Sequence, residues 1–135
     1  MTVDTRAEEY KWAENFGAGI AALEKGNFAK AARSLETACA IAEKLELTEP
    51  LSNSLIALGD AYRLAEQYDK AGQTFKKAVA FSDKFLEDKT QYAFANAALG
   101  RLYIELDKTL EAKSAFELAI PIFKRQRDEA EPESI

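Results

Sequence analysis

The chain has 135 residues, of which 47% are hydrophobic and 30% are charged, and its formal net charge is −5. This length and balance fit one globular domain, and the acidic charge argues against the non-specific nucleic-acid binding that a basic surface provides. No apolar run of about 18 residues is present and residues 1–6 lack the pattern of a secretory signal, so neither a membrane span nor a membrane partner is expected.

Apolar residues that recur every three or four positions predict six helices. Their expected bounds are 5–25, 28–46, 50–65, 68–87, 90–106 and 109–127. Polar turns are expected near 25–27, 66–67 and 106–108, and the first and third contain glycine, asparagine or aspartate, which suit the left-handed conformations that end helices. At one remaining junction Thr48 is predicted to cap the third helix with its hydroxyl, since Pro50 follows in the first turn.

One pattern of small and large residues occurs three times. Gly59 stands twelve residues before Ala71, and Ala71 precedes Phe75 by four residues and Ala78 by seven. The corresponding residues 40 positions earlier and 41 positions later are Gly19, Ala31, Leu35 and Ala38, and Gly100, Ala112, Phe116 and Ala119. Glycine inside a helix costs up to ~1 kcal/mol relative to alanine, so three equivalent glycines indicate a compensating close approach. We expect each glycine to face the alanine of its partner helix, while Phe75 and Phe116 fill the wider part of the interface.

These residues resemble the tetratricopeptide repeat pattern, W-x2-L-G-x2-Y followed by A-x3-F. The second copy reads Leu58-Gly59-x2-Tyr62 and the third reads Leu99-Gly100-x2-Tyr103. The period exceeds the family's usual length of about 34 residues, and HEAT repeats, with periods of about 40–47 residues, are the structural alternative. HEAT repeats do not predict the Leu-Gly-x2-Tyr signature, so the resemblance favours a long-repeat member of the tetratricopeptide family.

The resemblance implies an all-α fold, namely an α-solenoid of three antiparallel helix hairpins wound into a right-handed superhelix. The expected domain spans residues 1–128, with repeats at about 12–45, 52–85 and 93–126. A short acidic tail, 129–135, is expected to follow.

The resemblance also implies that the first helix of each hairpin lines a concave groove that binds a protein or peptide. The groove residues transferred from the family are Phe16, Ile20, Glu24, Asn53, Ile56, Asp60, Arg63, Phe94, Arg101 and Glu105, with Ala13, Leu23, Leu64, Ala97 and Ile104 beside them. Apolar ends around a polar centre suit an amphipathic segment. An alternative stays open, because Asp60 and Arg63 have the spacing of a local ion pair and the apolar groove residues could simply pack between helices.

A second hypothesis is a structural module that self-associates. The last predicted helix is unusually apolar on its outer side, where Leu118 stands in the place of Thr37 and Lys77. A terminal repeat normally presents a polar face. Leu118, Ile122 and Phe123 are therefore candidate contacts for a second copy of the chain.

Residues that carry out catalysis are scarce. The chain has no histidine, and Cys39, its only cysteine, lies on an apolar stripe where a thiol behaves as a small hydrophobic group. No glycine-rich phosphate loop is present, and the carboxylate pairs are typical of solvated helix surfaces. We therefore expect no enzyme, no metal site and no cofactor. A single thiol also suits a reducing compartment, which favours a cytoplasmic location.

Overall fold

The structure, a computed structural model, describes residues 5–130, and in this range the chain forms six helices and no strands. The helices are α1 (Thr5–Glu24), α2 (Phe28–Lys44), α3 (Thr48–Leu64), α4 (Tyr68–Phe85), α5 (Thr90–Glu105) and α6 (Thr109–Ala130). The predicted all-α class is therefore confirmed, and each helix bound lies within three residues of the predicted one.

The predicted limits of the domain reach beyond the described part of the chain. Residues 1–4 of the expected domain and residues 131–135 of the expected tail lie outside it. Within it, Glu129 and Ala130 belong to α6. The prediction of a tail that begins at residue 129 is therefore wrong by two residues, because the helix continues through the polar residues that follow its apolar stripe.

Four of the helix ends share one type of turn. Gly26, Glu46, Glu66 and Asp107 have positive φ angles of 79°, 55°, 63° and 58°. In each turn the amide of the next residue donates to the carbonyl oxygen five residues before it, at 2.8–2.9 Å. This bond satisfies a carbonyl that the end of the helix would leave without a partner. Glycine and aspartate suit this backbone conformation, whereas the two glutamates adopt it because the hairpin geometry requires it.

The start of α3 differs from the prediction. Its N-cap residue is Leu47, and no side chain caps this end, so the hydroxyl cap predicted at Thr48 is wrong. Thr48 is instead the first residue of the helix. The start of α5 does have side-chain bonds, because the Asp88 carboxylate accepts from the Thr90 amide at 2.9 Å and from the Thr90 hydroxyl at 2.6 Å.

The hairpins stack into a solenoid. Each helix packs against the next one along the chain, and α3 also contacts both α1 and α5. The first helices of the hairpins therefore lie side by side in one layer, with α2, α4 and α6 forming the other. The larger hydrophobic cluster is centred on α1, α2 and α3 and extends to Ala78 of α4 and Ala95 of α5, and a second cluster joins α4 and α5 around Phe75 and Leu102.

The space beside each repeat glycine is filled by the large residue of the partner helix and not by the alanine of that helix. A Cβ atom added at Gly59 would lie under 3.0 Å from three atoms of the Phe75 ring, which is completely buried. Leu35 occupies the same place over Gly19, and Phe116 occupies it over Gly100. The expectation that Phe75 and Phe116 fill a wider part of the interface is therefore wrong, because their rings lie directly on the glycine backbone.

Candidate peptide-binding groove

The predicted groove residues lie on α1, α3 and α5, the helices that form one layer of the solenoid. Direct contacts of α3 with α1 and with α5 place the side chains of consecutive repeats within reach of one another. Groove positions from different repeats can therefore act on one ligand.

A polar cluster occupies the surface between α3 and α5. The Arg63 Nη1 atom donates to Glu105 Oε1 at 2.7 Å, which joins the two repeats. Arg63 Nε lies 3.6 Å from Asp60 Oδ1, at the i,i+3 spacing of an ion pair within α3. The local ion pair that the spacing suggested is present, and it belongs to a larger network that includes Glu105.

Asp60 is the member of this cluster whose negative charge is disfavoured by burial. Its side chain is 27% exposed, and burial raises the pKa of its carboxyl above the ordinary value although Arg63 and Arg101 act to lower it. Neither Asp60 Oδ1 nor Arg63 Nε has a hydrogen-bond partner, although both atoms are buried. Arg101 is exposed, and among residues 5–130 no carboxylate lies within ion-pairing distance of it. Arg101 is therefore the member of the cluster that is both exposed and without an ion-pair partner in the described range.

Most apolar groove candidates have a structural role as well. Phe16, Ile20 and Ile56 are partly buried and pack against the larger hydrophobic cluster. Phe94 is about half exposed, and its ring lies 5.2 Å from the ring of Phe123 on α6. Leu64 and Ile104, by contrast, are exposed. The apolar surface available to a ligand is therefore provided by these two residues, which adjoin Arg63 and Glu105 in sequence, and by the exposed part of Phe94.

Glu24 and Asn53 are the remaining candidates. Glu24 is exposed at the end of α1, while Asn53 is partly exposed on α3. No side-chain bond joins either of them to the polar cluster of Asp60, Arg63, Arg101 and Glu105 within the part of the chain that the structure describes. They lie beside the polar centre and are not part of it.

The family model described as "Tetratricopeptide repeat" matches residues 50–125. The chain belongs to the tetratricopeptide repeat family. Tetratricopeptide repeat domains generally mediate interactions between proteins.

Two solved structures of tetratricopeptide repeats resemble the fold. The TPR domain of Arabidopsis FLU superposes with a TM-score of 0.80 at 19% identity, covering 87% of this chain and 98% of that domain. A Podosopora anserina putative kinesin light chain with nearly identical TPR-like repeats gives a TM-score of 0.73 at 25% identity, covering 86% of this chain and 57% of that one. These likenesses agree with the α-solenoid architecture.

A curated relative is much longer than the chain. Outer dynein arm-docking complex subunit 4 of Xenopus laevis is 30% identical over 95 residues, which make up 70% of this chain and 17% of that protein. The chain therefore spans about a sixth of the relative's length, and the similarity concerns the tetratricopeptide repeats.

The candidate self-association residues lie on α6, where Leu118 and Ile122 are one helical turn apart and Phe123 faces another way. Leu118 is 49% exposed on α6, whereas Ile122 and Phe123 are partly buried. Five residues of an α-helix turn by about 140°, so Leu118 and Phe123 point in different directions. Phe123 packs against Phe94 of α5 within the same chain, so its apolar ring has a structural role. Leu118 remains the exposed candidate.

The tetratricopeptide hairpins carry one surface that the sequence did not predict. A cleft of about 690 Å³ lies between the α2–α3 turn and the C-terminal half of α4. Its apolar residues include Leu47, Leu51, Phe81 and Phe85. Phe81 and Phe85, which have i,i+4 spacing and lie outside the repeat pattern, were the feature of the sequence that could have indicated this cleft.

Between residues 5 and 130 no three side chains of histidine, cysteine, aspartate or glutamate are placed to hold a metal ion. Burial raises the pKa of the Cys39 thiol to about 12, so the thiol stays protonated at neutral pH. None of the six helices in this range is both long and apolar enough to cross a bilayer.

Proposed function

We propose that the chain is a non-catalytic, cytoplasmic adaptor that binds an amphipathic peptide or helix of a partner protein in the groove of α1, α3 and α5. The observation that supports this proposal best is the polar cluster of Asp60, Arg63, Arg101 and Glu105, which lies beside exposed Leu64 and Ile104. A charged centre next to exposed apolar side chains is the arrangement that an amphipathic ligand complements.

The members of the cluster have different roles in this proposal. Arg63 is held by Glu105 at 2.7 Å and positions the surface between two repeats. Arg101 has no ion-pair partner among the described residues and would bind an acidic side chain of the ligand. Asp60 Oδ1 is buried and lies 3.6 Å from Arg63 Nε, so Asp60 would help to hold Arg63 and would not contact the ligand through this atom.

The test uses peptides selected from a random displayed library against the purified chain. Their affinities are measured by calorimetry for the wild type, for Arg101→Glu and for the control Arg33→Glu. The control makes the same charge change at an exposed position of α2, in the other helix layer. We expect the selected peptides to be acidic and amphipathic, and Arg101→Glu to weaken their binding at least tenfold, which corresponds to about 1.4 kcal/mol. Equal affinities for the two variants would refute groove binding.

A second candidate function is self-association through α6, and the exposure of Leu118 favours it. This residue is 49% exposed, while its counterparts in the other repeats are Thr37 and Lys77. Light scattering would compare the wild type with Leu118→Glu and with the control Thr37→Glu. We expect a dimer or larger assembly that only Leu118→Glu dissociates. A monomeric wild type at high micromolar concentration would remove this candidate.

A further inference from the structure

The cleft between the α2–α3 turn and α4 is a second surface, distinct from the groove. Phe81 and Phe85 form its aromatic wall, with ring centroids 4.9 Å apart, and Phe85 is 53% exposed. Leu47 and Leu51 form the opposite wall. An exposed aromatic side chain beside other apolar residues in a concave surface is typical of a binding site.

A second cleft lies beside the first. It has a volume of about 550 Å³, contains Tyr10, Trp12 and Pro50, and shares Leu47 with the first cleft. Tyr10 is largely exposed, like Phe85. Both clefts lie at the edge of the solenoid where α1 and α3 begin and where α2 and α4 end. We call the first cleft, lined by Leu47, Leu51, Phe81 and Phe85, the edge cleft.

The equivalent position of the next repeat is polar. Gln126 occupies, 41 residues later, the position of Phe85, and its side-chain amide donates to the Thr90 hydroxyl at the start of α5. The third repeat therefore carries a polar residue with an internal partner at this position, whereas the second repeat carries an exposed phenylalanine. The exposed aromatic side chain of Phe85 is thus not shared by the third repeat.

The charged residues on the rim of the cleft indicate which charges a ligand should carry. Glu43 and Lys77 pair with each other across the cleft at 2.8 Å. Glu46 on the α2–α3 turn is exposed and forms no ion pair within residues 5–130, and Lys84 on α4 lies 5.2 Å from the Phe85 ring centroid without a carboxylate partner in the same range. The unpaired charges on the rim thus have opposite signs on opposite walls.

We propose that the edge cleft binds an amphipathic α-helix of a partner protein, with apolar side chains against Leu47 and Phe85 and with one cationic and one anionic flank. The cationic flank pairs with Glu46 and the anionic flank with Lys84. A helix fits better than an extended strand, because the walls present side chains of helices and the described chain offers no sheet edge for strand addition.

The experiment uses three labelled synthetic helices with one shared apolar face. The first has lysines on one flank and glutamates on the other, the second has only lysines, and the third has only glutamates. Fluorescence anisotropy measures their binding to the full chain. We expect the mixed peptide to bind at least tenfold more tightly than the other two, and Phe85→Glu to weaken it at least tenfold. Leu110→Glu, a change at an exposed leucine of α6, should have no effect.

Charge reversal on the rim tests the assignment of the walls. Glu46→Lys makes both unpaired rim charges positive, so the glutamate-flanked peptide should become the preferred ligand whichever way the helix runs. Failure of the mixed peptide to bind, equal binding to Phe85→Glu, or an unchanged preference in Glu46→Lys would overturn the proposal. Loss of peptide binding in Arg101→Glu would place the ligand in the groove instead. Self-association that only Phe85→Glu abolishes would identify a second copy as the occupant, which also contradicts a partner helix.

Discussion

The contact between Gly59 and Phe75 is the packing feature that can be tested most directly. A Cβ atom at Gly59 would lie under 3.0 Å from three atoms of the Phe75 ring. The ring is completely buried, so it has no solvent-filled space into which it can move. We therefore expect Gly59→Ala to destabilise the protein, although alanine is the better helix former.

The magnitude follows from two opposing contributions. Replacing a glycine inside a helix by alanine stabilises the helix by about 1 kcal/mol, while overpacking a dense core costs about 1–3 kcal/mol. Gly17→Ala provides the matched control, because Gly17 is also inside a helix and nothing lies within 4 Å of its added Cβ atom. The helix contribution is common to both variants, so their difference in unfolding free energy measures the steric cost, about 1–3 kcal/mol.

Urea unfolding followed by circular dichroism gives these free energies. Gly17→Ala should be more stable than the wild type, and Gly59→Ala should be less stable. The Gly100–Phe116 pair tests the cause, since Phe116 is only partly buried and its removal should cost less stability than removal of the fully buried Phe75. Gly100→Ala should become stabilising once Phe116→Ala is present, because the ring that opposes the methyl group is gone. If Gly59→Ala proved as stable as Gly17→Ala, close packing on the glycine would not hold this hairpin together.

Three further predictions concern buried polar groups. Because burial raises the pKa of Cys39 from 9.0 to about 12, a thiol reagent at pH 8 should modify Cys39 only after unfolding. The free energy of unfolding should also fall as the pH rises from about 9, because the thiol then ionises in the unfolded chain but not in the folded one. The hydroxyls of Ser52 and Ser82 are fully buried and 2.7 Å apart, so Ser82→Ala should cost about 1 kcal/mol in urea unfolding and Ser52→Ala should add little to it. Asp60→Asn should raise or preserve stability at pH 7, within about 1 kcal/mol, because burial raises the pKa of Asp60. The gain should vanish below about pH 4, where both folded and unfolded carboxyls are protonated. A destabilised Asp60→Asn at pH 7 would contradict the pKa direction.

The helices and their turns could be predicted because the information is local. An apolar residue every third or fourth position specifies a helix, and Gly26 and Asp107 suit the left-handed turns in which they lie. Glu66 occupies the same turn without that preference, and its place followed from the repeat. Thr48 failed as a cap because the turn that ends α2 at Glu46 places Leu47 at the N-cap position of α3.

Side-chain partners between repeats could not be predicted, since they depend on how the hairpins stack. The spacing of Asp60 and Arg63 suggested a pair within α3, but nothing in the sequence indicated that Glu105 would take the shorter bond to Arg63. The glycine pattern likewise indicated a close approach, but the expected partner was the alanine of the neighbouring helix, whereas the large residue of that helix lies there. The edge cleft was missed for a similar reason, because Phe81 and Phe85 resemble any apolar helix stripe until the ends of α2 and α4 are placed in space.

Different residues of the polar cluster in the groove are expected to affect stability and binding. Arg63 and Glu105 form the bond that links two repeats, and this bond contributes to the fold. Burial penalises the charge of Asp60, and no carboxylate in the described chain pairs with Arg101. The proposed ligand site depends on Arg101, because this exposed cation has no structural ion pair to maintain. Substitution of Arg101 should then change affinity at constant stability, whereas substitution of Arg63 should change both, because it also removes the partner of Glu105.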